Sequence, residues 1–216
     1  MNLLRKFISI SEKLGINSAF DVFDSNNDPD FGILSSKELN IYSGFTSLKR
    51  KHEFISGRIA CKKAFFKLTS QNETCFEKFT SISVLNGKSG APFIENSDLF
   101  VSISHSHGVA IASVGEKTVG VDIEKTDPKR ISALKRMSEE SLFEDVCDLT
   151  VLWTLKESLG KALHTGIIED FSHYDIKNLR YENGVYRCNF KNFSSFSGTA
   201  ITNGQYAITI VVNCPM

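Results

Sequence analysis

An α+β fold is predicted by three features of the sequence. Some stretches carry apolar residues at helical spacing, short β-prone runs are bounded by turn signals, and strands and helices appear twice in similar order along the chain. The 216 residues suffice for one large domain or two small ones with a real core. Hydrophobic residues make up 41% and charged residues 23%, which excludes disorder and collagen-like repeats. Basic and acidic side chains number 25 each, so no global charge draws this chain to nucleic acid. No apolar run approaches the length of a membrane span. Met1 to Gly15, with Arg5 and Lys6 inside a short apolar stretch, reads as an amphipathic segment and not as a signal peptide. The cysteines, Cys61, Cys75, Cys147, Cys188 and Cys214, are odd in number and form no C-x-x-C pair. Reduced thiols in a cytoplasmic protein are expected, with neither a disulfide framework nor a zinc site.

Taken in order, residues 49–68 read as a helix with Phe54, Ile55, Ile59, Ala60 and Phe66 on its apolar side. Strand-like runs follow at 81–85, 99–103, 109–114 and 119–123, the last three joined by turn-like connections at 104–108 and 115–117. Asp127-Pro128 breaks the chain. Helices are expected at 130–137 and 150–164, with Gly166 near the stop. The remainder is β-rich, and Asn183-Gly184 and Asn203-Gly204 each sit between β-prone runs, a strong hairpin signal. The two runs of elements meet near Gly115 to Thr118, which predicts two packed halves, residues 1–116 and 117–216.

Four stretches carry residues suited to chemistry. Lys49, Arg50, Lys51, Arg58, Lys62 and Lys63 crowd one helix against a single acid, Glu53; this is either a solvated face or an anion site. Asn86-Gly87-Lys88-Ser89-Gly90-Ala91-Pro92 reads as a turn bearing one lysine. Val101-Ser102-Ile103-Ser104-His105-Ser106-His107-Gly108 places His105 where a strand gives way to a turn, a place that displays binding residues. In Gly120-Val121-Asp122-Ile123-Glu124 the two carboxylates share a strand face; they are either a solvated acidic pair or oxygen ligands for a hard cation such as Mg²⁺. Trp153 through Lys161 has helical spacing, with Leu152, Leu155, Leu159 and Leu163 on one stripe and Trp153, Glu157, Gly160, Lys161 and His164 on another. Glu157 and Lys161 are one turn apart and could simply pair on the surface. No nucleophile elbow, Walker A loop, G-x-G-x-x-G or H-E-x-x-H is present.

In this order the stretches resemble the 4'-phosphopantetheinyl transferase superfamily, and Trp153 to Lys161 matches that family's W-x-x-K-E-S-x-x-K at every fixed position. The chain length resembles the Sfp-type, pseudodimeric members. Gly57-Arg58-Ile59-Ala60 and Ser89-Gly90-Ala91-Pro92 look most like the enterobactin-synthase component D branch. The resemblance implies two similar α+β halves with the active site in the cleft between them. It implies transfer of the 4'-phosphopantetheine group from coenzyme A to a serine of an apo carrier protein, with adenosine 3',5'-bisphosphate released. By resemblance Asp122, Glu124 and Glu157 hold Mg²⁺ or Mn²⁺, and Glu157 accepts the serine proton, directly or through water. Lys161 would neutralise the pyrophosphate. Arg50, Arg58 and Lys88 would bind the 3'-phosphate region on the N-terminal half, His105 a coenzyme phosphate, and Lys156 an anion; no role falls to His107. The implied partner is an acyl, peptidyl or aryl carrier protein, with a tilt toward nonribosomal peptide and siderophore synthesis, and the enzyme is expected as a monomer. The basic, partly apolar segment Lys125 to Arg136 is expected to contribute to the carrier dock. Two other readings stay open: a metal-independent coenzyme A-using acyltransferase, and a non-catalytic coenzyme A-binding protein.

Overall fold

Period-two and helical patterns along the chain settle, in the computed structural model, into helices and strands in alternation. Residues 2–24, 27, 29–69, 76–137 and 145–214 are described. In chain order they form α1 (Asn2–Lys13), β1 (Asn17–Val22), α2 (Ser36–Ser43), α3 (Leu48–Leu68), β2 (Val84–Asn86), β3 (Pro92–Ile94), β4 (Phe100–Ser106), β5 (Val109–Gly115) and β6 (Val119–Lys125). Then come α4 (Ile131–Met137), α5 (Val146–Ala162), β7 (Ile176–Glu182), β8 (Val185–Phe190), β9 (Phe196–Thr202) and β10 (Tyr206–Asn213).

The strands make three antiparallel sheets: β1-β5-β4, the hairpin β2-β3, and β6-β10-β9-β8-β7. Helix α3 packs Ala60, Cys61 and Ala64 against Ala112 and Val114 of the first sheet. Helix α5 packs Leu155 and Leu159, both fully buried, against Ala200, Ala207 and Val211 of the larger sheet. Each such leucine contributes about 2 kcal/mol by leaving water. The other face of that larger sheet, Ile208, Ile210 and Val212, is covered by α1 through Phe7. The opening helix therefore serves the second half of the chain. Lys6 Nζ also donates to Gly184 O at 2.9 Å.

Local chemistry sets the element ends. Ser47 caps α3 by accepting from the Arg50 N–H. Asp145 caps α5, which starts four residues before the expected point. It ends at Ala162, where Gly160 O accepts from the N–H groups of Thr165 and Gly166. Asn183 and Gly184 both have left-handed φ, 53° and 71°, the backbone that a two-residue hairpin between twisted strands demands. The strand expected at 81–85 is instead a 3₁₀ turn, Phe76–Ser81, followed by short β2. The reason is a buried ion pair. Lys62 Nζ donates to Glu38 Oε2 at 2.6 Å and to the carbonyls of Ile33 and Phe79, and Glu38 Oε1 accepts from the Val84 N–H. Those bonds bend 76–84 onto α3. Cys61 and Cys188 are buried; Cys61, Cys147 and Cys214 carry free thiols, while Cys75 lies outside the described residues. No described helix is long and apolar enough to cross a membrane.

Strands β4 and β6 lie side by side at the seam between the two larger sheets, with serine hydroxyls joining them. Ser102, Ser104 and Ser106 Oγ accept from the N–H groups of Val121, Ile123 and Lys125 at 2.9, 3.4 and 3.2 Å.

Candidate functional site

The seam is where the predicted residues collect. On β6 the period of two turns Asp122 and Glu124 to one face. Helix α5 crosses close beneath because β6 carries Gly120: a Cβ there would stand 1.8 Å from Ser158 O and 2.6 Å from Ala162 N. This contact brings Lys161 Nζ within 2.7 Å of Asp122 Oδ1. The same oxygen accepts from Ser104 Oγ at 2.7 Å. Asp122 is 4% exposed, and its second oxygen, Oδ2, has no hydrogen-bond partner among the described residues. Glu124 accepts from Arg130 Nη1 and from Ser106 Oγ, both at 3.4 Å. Burial, then the charge of Asp122, raises the pKa of Glu124; the same two causes, in that order, raise that of Glu157, with Lys161 opposing.

These three carboxylates sense one another across β6 and α5. Among the described residues no three carboxylates, imidazoles or thiolates converge as a ready-made metal cage, so side chains must turn inward to enclose an ion. The donor set nonetheless fits a hard divalent cation. It offers only oxygens, one of them buried and, among the described residues, unpartnered, and burial, then the charge of Asp122, holds Glu124 and Glu157 above their ordinary pKa, which nearby positive charge relieves. Lys161 supplies part of that charge.

The other side of the seam is basic. Arg50 and Arg58 line one hollow of about 740 Å³ with Phe45, Phe54 and His105. The structure brings both arginines of this helix to one cavity. Arg58 is buried, its guanidinium 3.8 Å over the Phe54 ring, with Nη2 donating to Asn86 Oδ1 at 2.8 Å. Arg50 lies 5.0 Å over Phe45. His105 Nδ1 is 3.6 Å from Glu53 Oε1. Burial lowers the His105 pKa, so it stands at neutral pH as a hydrogen-bonding imidazole more than a cation. A second, more apolar hollow of about 240 Å³ is lined by Gly90, Pro92, Ile103, Lys161, His164 and Gly166. The two share Gly90, Pro92 and Ile103, so the hollow of the arginines adjoins that of Lys161 along one cleft.

Two predicted residues fall elsewhere. Lys156 does not reach the cleft. It is 4% exposed, and its Nζ donates to Phe171 O at 2.9 Å and to Asp175 Oδ1 at 3.1 Å. One residue along a helix is a turn of about 100°, which carries Lys156 away from the face of Glu157 and Lys161. Its anion-contact role is thereby replaced by a buried ion pair. Lys88 is exposed on the β2–β3 turn and does not line the hollow; Asn86 and Gly90 of the same turn do. Sequence reasoning quoted the seam serines, Glu53 and Asn86 without giving them a role in the site, and placed Arg130 in the carrier dock alone. The alternation of Ser102, Ser104 and Ser106 was the available signal for the first. Arg130 also lies 5.9 Å from the Trp153 ring, which accounts for the large aromatic on that stripe.

Two family descriptions match the chain: "4'-phosphopantetheinyl transferase N-terminal domain" over residues 45–115, and "4'-phosphopantetheinyl transferase superfamily" over residues 118–211. Among curated proteins, the holo-[acyl-carrier-protein] synthase of Petrotoga mobilis is 34% identical over 97 residues, covering 38% of this chain and 76% of that protein. The synthase of the same name from Enterococcus faecalis is 39% identical over 88 residues, covering 38% of this chain and 72% of that protein. A crystal structure of a Bacillus anthracis holo-(acyl-carrier-protein) synthase in complex with CoA (3',5'-ADP) is 29% identical with a TM-score of 0.38, covering 45% of this chain and 92% of that one.

Proposed function

The chain belongs to the 4'-phosphopantetheinyl transferase superfamily, and from that premise we propose that it transfers the 4'-phosphopantetheine group of coenzyme A to a serine hydroxyl of an apo carrier protein. The observation that carries this reading is the cleft itself. One wall offers Arg50 and Arg58, the other Lys161 beside Asp122, Glu124 and Glu157. A pyrophosphate bearing a remote 3'-phosphate calls for positive charge at two separated points, which this otherwise neutral protein supplies there.

Asp122, Glu124 and Glu157 would hold Mg²⁺ or Mn²⁺, which when bound offsets charge on the pyrophosphate oxygens. Arg58, pre-oriented by Phe54 and Asn86, would fix the 3'-phosphate with Arg50 closing the rim. His105 would donate to a coenzyme phosphate. Glu157, with its raised pKa, is suited to take the proton of the carrier serine as the serine oxygen bonds to phosphorus. The bond from phosphorus to the adenosine-bearing phosphate breaks, and Lys161 neutralises the charge left on that leaving oxygen. The presence of both an N-terminal and a C-terminal half supports the Sfp-type arrangement, divided at 1–116 and 117–216; the component D-like branch rests on the motif residues and implies a peptidyl or aryl carrier.

The test is incubation with coenzyme A, Mg²⁺ and a panel of apo carriers, read by intact-protein mass. One carrier should gain a single phosphopantetheine arm, and chelation should stop the gain. Arm transfer that survives chelation would overturn the metal reading; with acetyl-coenzyme A as donor, an acetyl group appearing in place of the arm would favour the metal-independent acyltransferase.

A further inference from the structure

The serine alternation on β4 has a directional consequence. A hydroxyl has one proton and can accept as well as donate. Ser104 and Ser106 accept the N–H groups of Ile123 and Lys125, so each oxygen's own proton is turned away from the strand backbone. Ser104 directs its proton to Asp122 Oδ1 at 2.7 Å. Ser106 faces Glu124 Oε2 at 3.4 Å, with His107 Nδ1 3.1 Å from the same hydroxyl. Ser102 makes the equivalent seam bond to Val121 N–H at 2.9 Å, and among the described residues it has no carboxylate partner.

We propose that Ser104 and Ser106 are positioning residues that fix the rotamers of Asp122 and Glu124 from the opposite half of the molecule. Asp122 then gives Oδ1 to Ser104 and Lys161 and keeps Oδ2, buried and unpartnered, for a cation. Ligand geometry in the C-terminal sheet is thus set by a strand of the N-terminal one. This inference rests on the reading of Asp122 and Glu124 as divalent-cation ligands. Partners that orient metal-bound carboxylates govern affinity more than fold.

The experiment titrates Mn²⁺ into the whole protein with coenzyme A and without carrier, following free Mn²⁺ by electron paramagnetic resonance. Ser104→Ala should weaken Mn²⁺ binding about tenfold. Ser106→Ala should weaken it less, and Ser104→Thr, which keeps the hydroxyl, should restore it. Ser102→Ala should leave Mn²⁺ binding unchanged even where its melting temperature drops as far as that of Ser104→Ala, which separates orientation from seam stability. The proposal is overturned if Ser104→Ala and Ser106→Ala bind Mn²⁺ like the parent, or if Ser102→Ala loses as much. Should Ser104→Ala not fold, an unaltered affinity in Ser106→Ala is the overturning result. A parent protein that binds no Mn²⁺ in the presence of coenzyme A overturns the metal reading and this inference with it. A parent that binds Mn²⁺ and modifies a carrier, alongside indifferent serine variants, overturns this inference alone.

Discussion

Glu157 illustrates how much a single side chain can be asked to do. Burial and the nearby Asp122 hold its pKa above the ordinary glutamate range. The folded chain therefore keeps this proton longer than the unfolded chain, and ionising Glu157 costs stability. That cost is absent below the ordinary glutamate pKa, grows as pH rises through the folded value, and is fully present above it. Glu157→Gln should accordingly melt higher than the parent at neutral pH without divalent cation, the difference vanishing in acid. It should also lose roughly 10²–10⁴-fold in transfer rate if Glu157 accepts the serine proton. Thermal melts against pH, paired with transfer rates, check both; a variant less stable at neutral pH would contradict the electrostatics described above. Lys156 makes the opposite point. It sits in the same motif, yet its side chain is 6% exposed and bonded to Asp175. Lys156→Ala should cost about 3 kcal/mol in denaturant unfolding, near the lower end for a broken buried pair because Asp175 keeps Lys191 at 2.9 Å. Its folded fraction should retain the parent's coenzyme A affinity. A large loss of affinity with stability intact would return Lys156 to the site.

At the scale of elements, the site depends on how closely α5 crosses β6. Gly120 has no side chain, and the Ser158 carbonyl uses that space. Gly120→Ala must push the helix off the strand, so it should cost about 3 kcal/mol and separate Lys161 from Asp122. Parent-like stability in unfolding experiments would show that the helix can shift freely. Helix α4 presents Lys135 and Arg136 to solvent, while Arg130 just before it is engaged with Glu124 and Trp153. Carriers of this class are expected to present acidic helices. Reversing charge at Lys135 and Arg136 should raise the carrier KM roughly tenfold, as the loss of electrostatic complementarity does elsewhere, and leave coenzyme A binding intact. An unchanged KM would remove α4 from the dock. Elements with clean periodicity were legible from sequence. Helix α3, strands β4 to β6 and the Asn183-Gly184 hairpin fall within a few residues of expectation, because helix spacing, strand alternation and turn residues are local properties. Strand β1 was not foreseen: Asn17–Val22 has no clean alternation, and its sheet neighbour among the described residues is β5, some ninety positions later. The run at 81–85 misled because a buried Lys62–Glu38 pair decides its shape, and a linear pattern carries no trace of that pair.

For the molecule as a whole, the two halves share a core, in which Phe7, Ile16 and Ile111 of the first pack with Val121, Ile208 and Ile210 of the second, and they also meet along a hydroxyl-lined seam with a carboxylate cluster. The carboxylates of β6 and α5 were singled out by the motif resemblance, spacing alone leaving a solvated pair open, and their orientation was not legible, since the serines bonded to Asp122 and Glu124 lie 18 residues away along the chain on another sheet. Helix α1 also crosses from the first half to roof the sheet of the second, so neither half is closed by its own residues. The central claim is that Asp122, Glu124 and Glu157 gather around one divalent ion shared with the coenzyme's pyrophosphate. Crystals grown with coenzyme A and Mn²⁺, with anomalous scattering recorded at the manganese edge, test it most directly. The account predicts one manganese peak in contact with all three carboxylates and the pyrophosphate. Coenzyme A seated in the cleft with the manganese elsewhere, or held by Asp122 and Glu124 with Glu157 turned away, would contradict it.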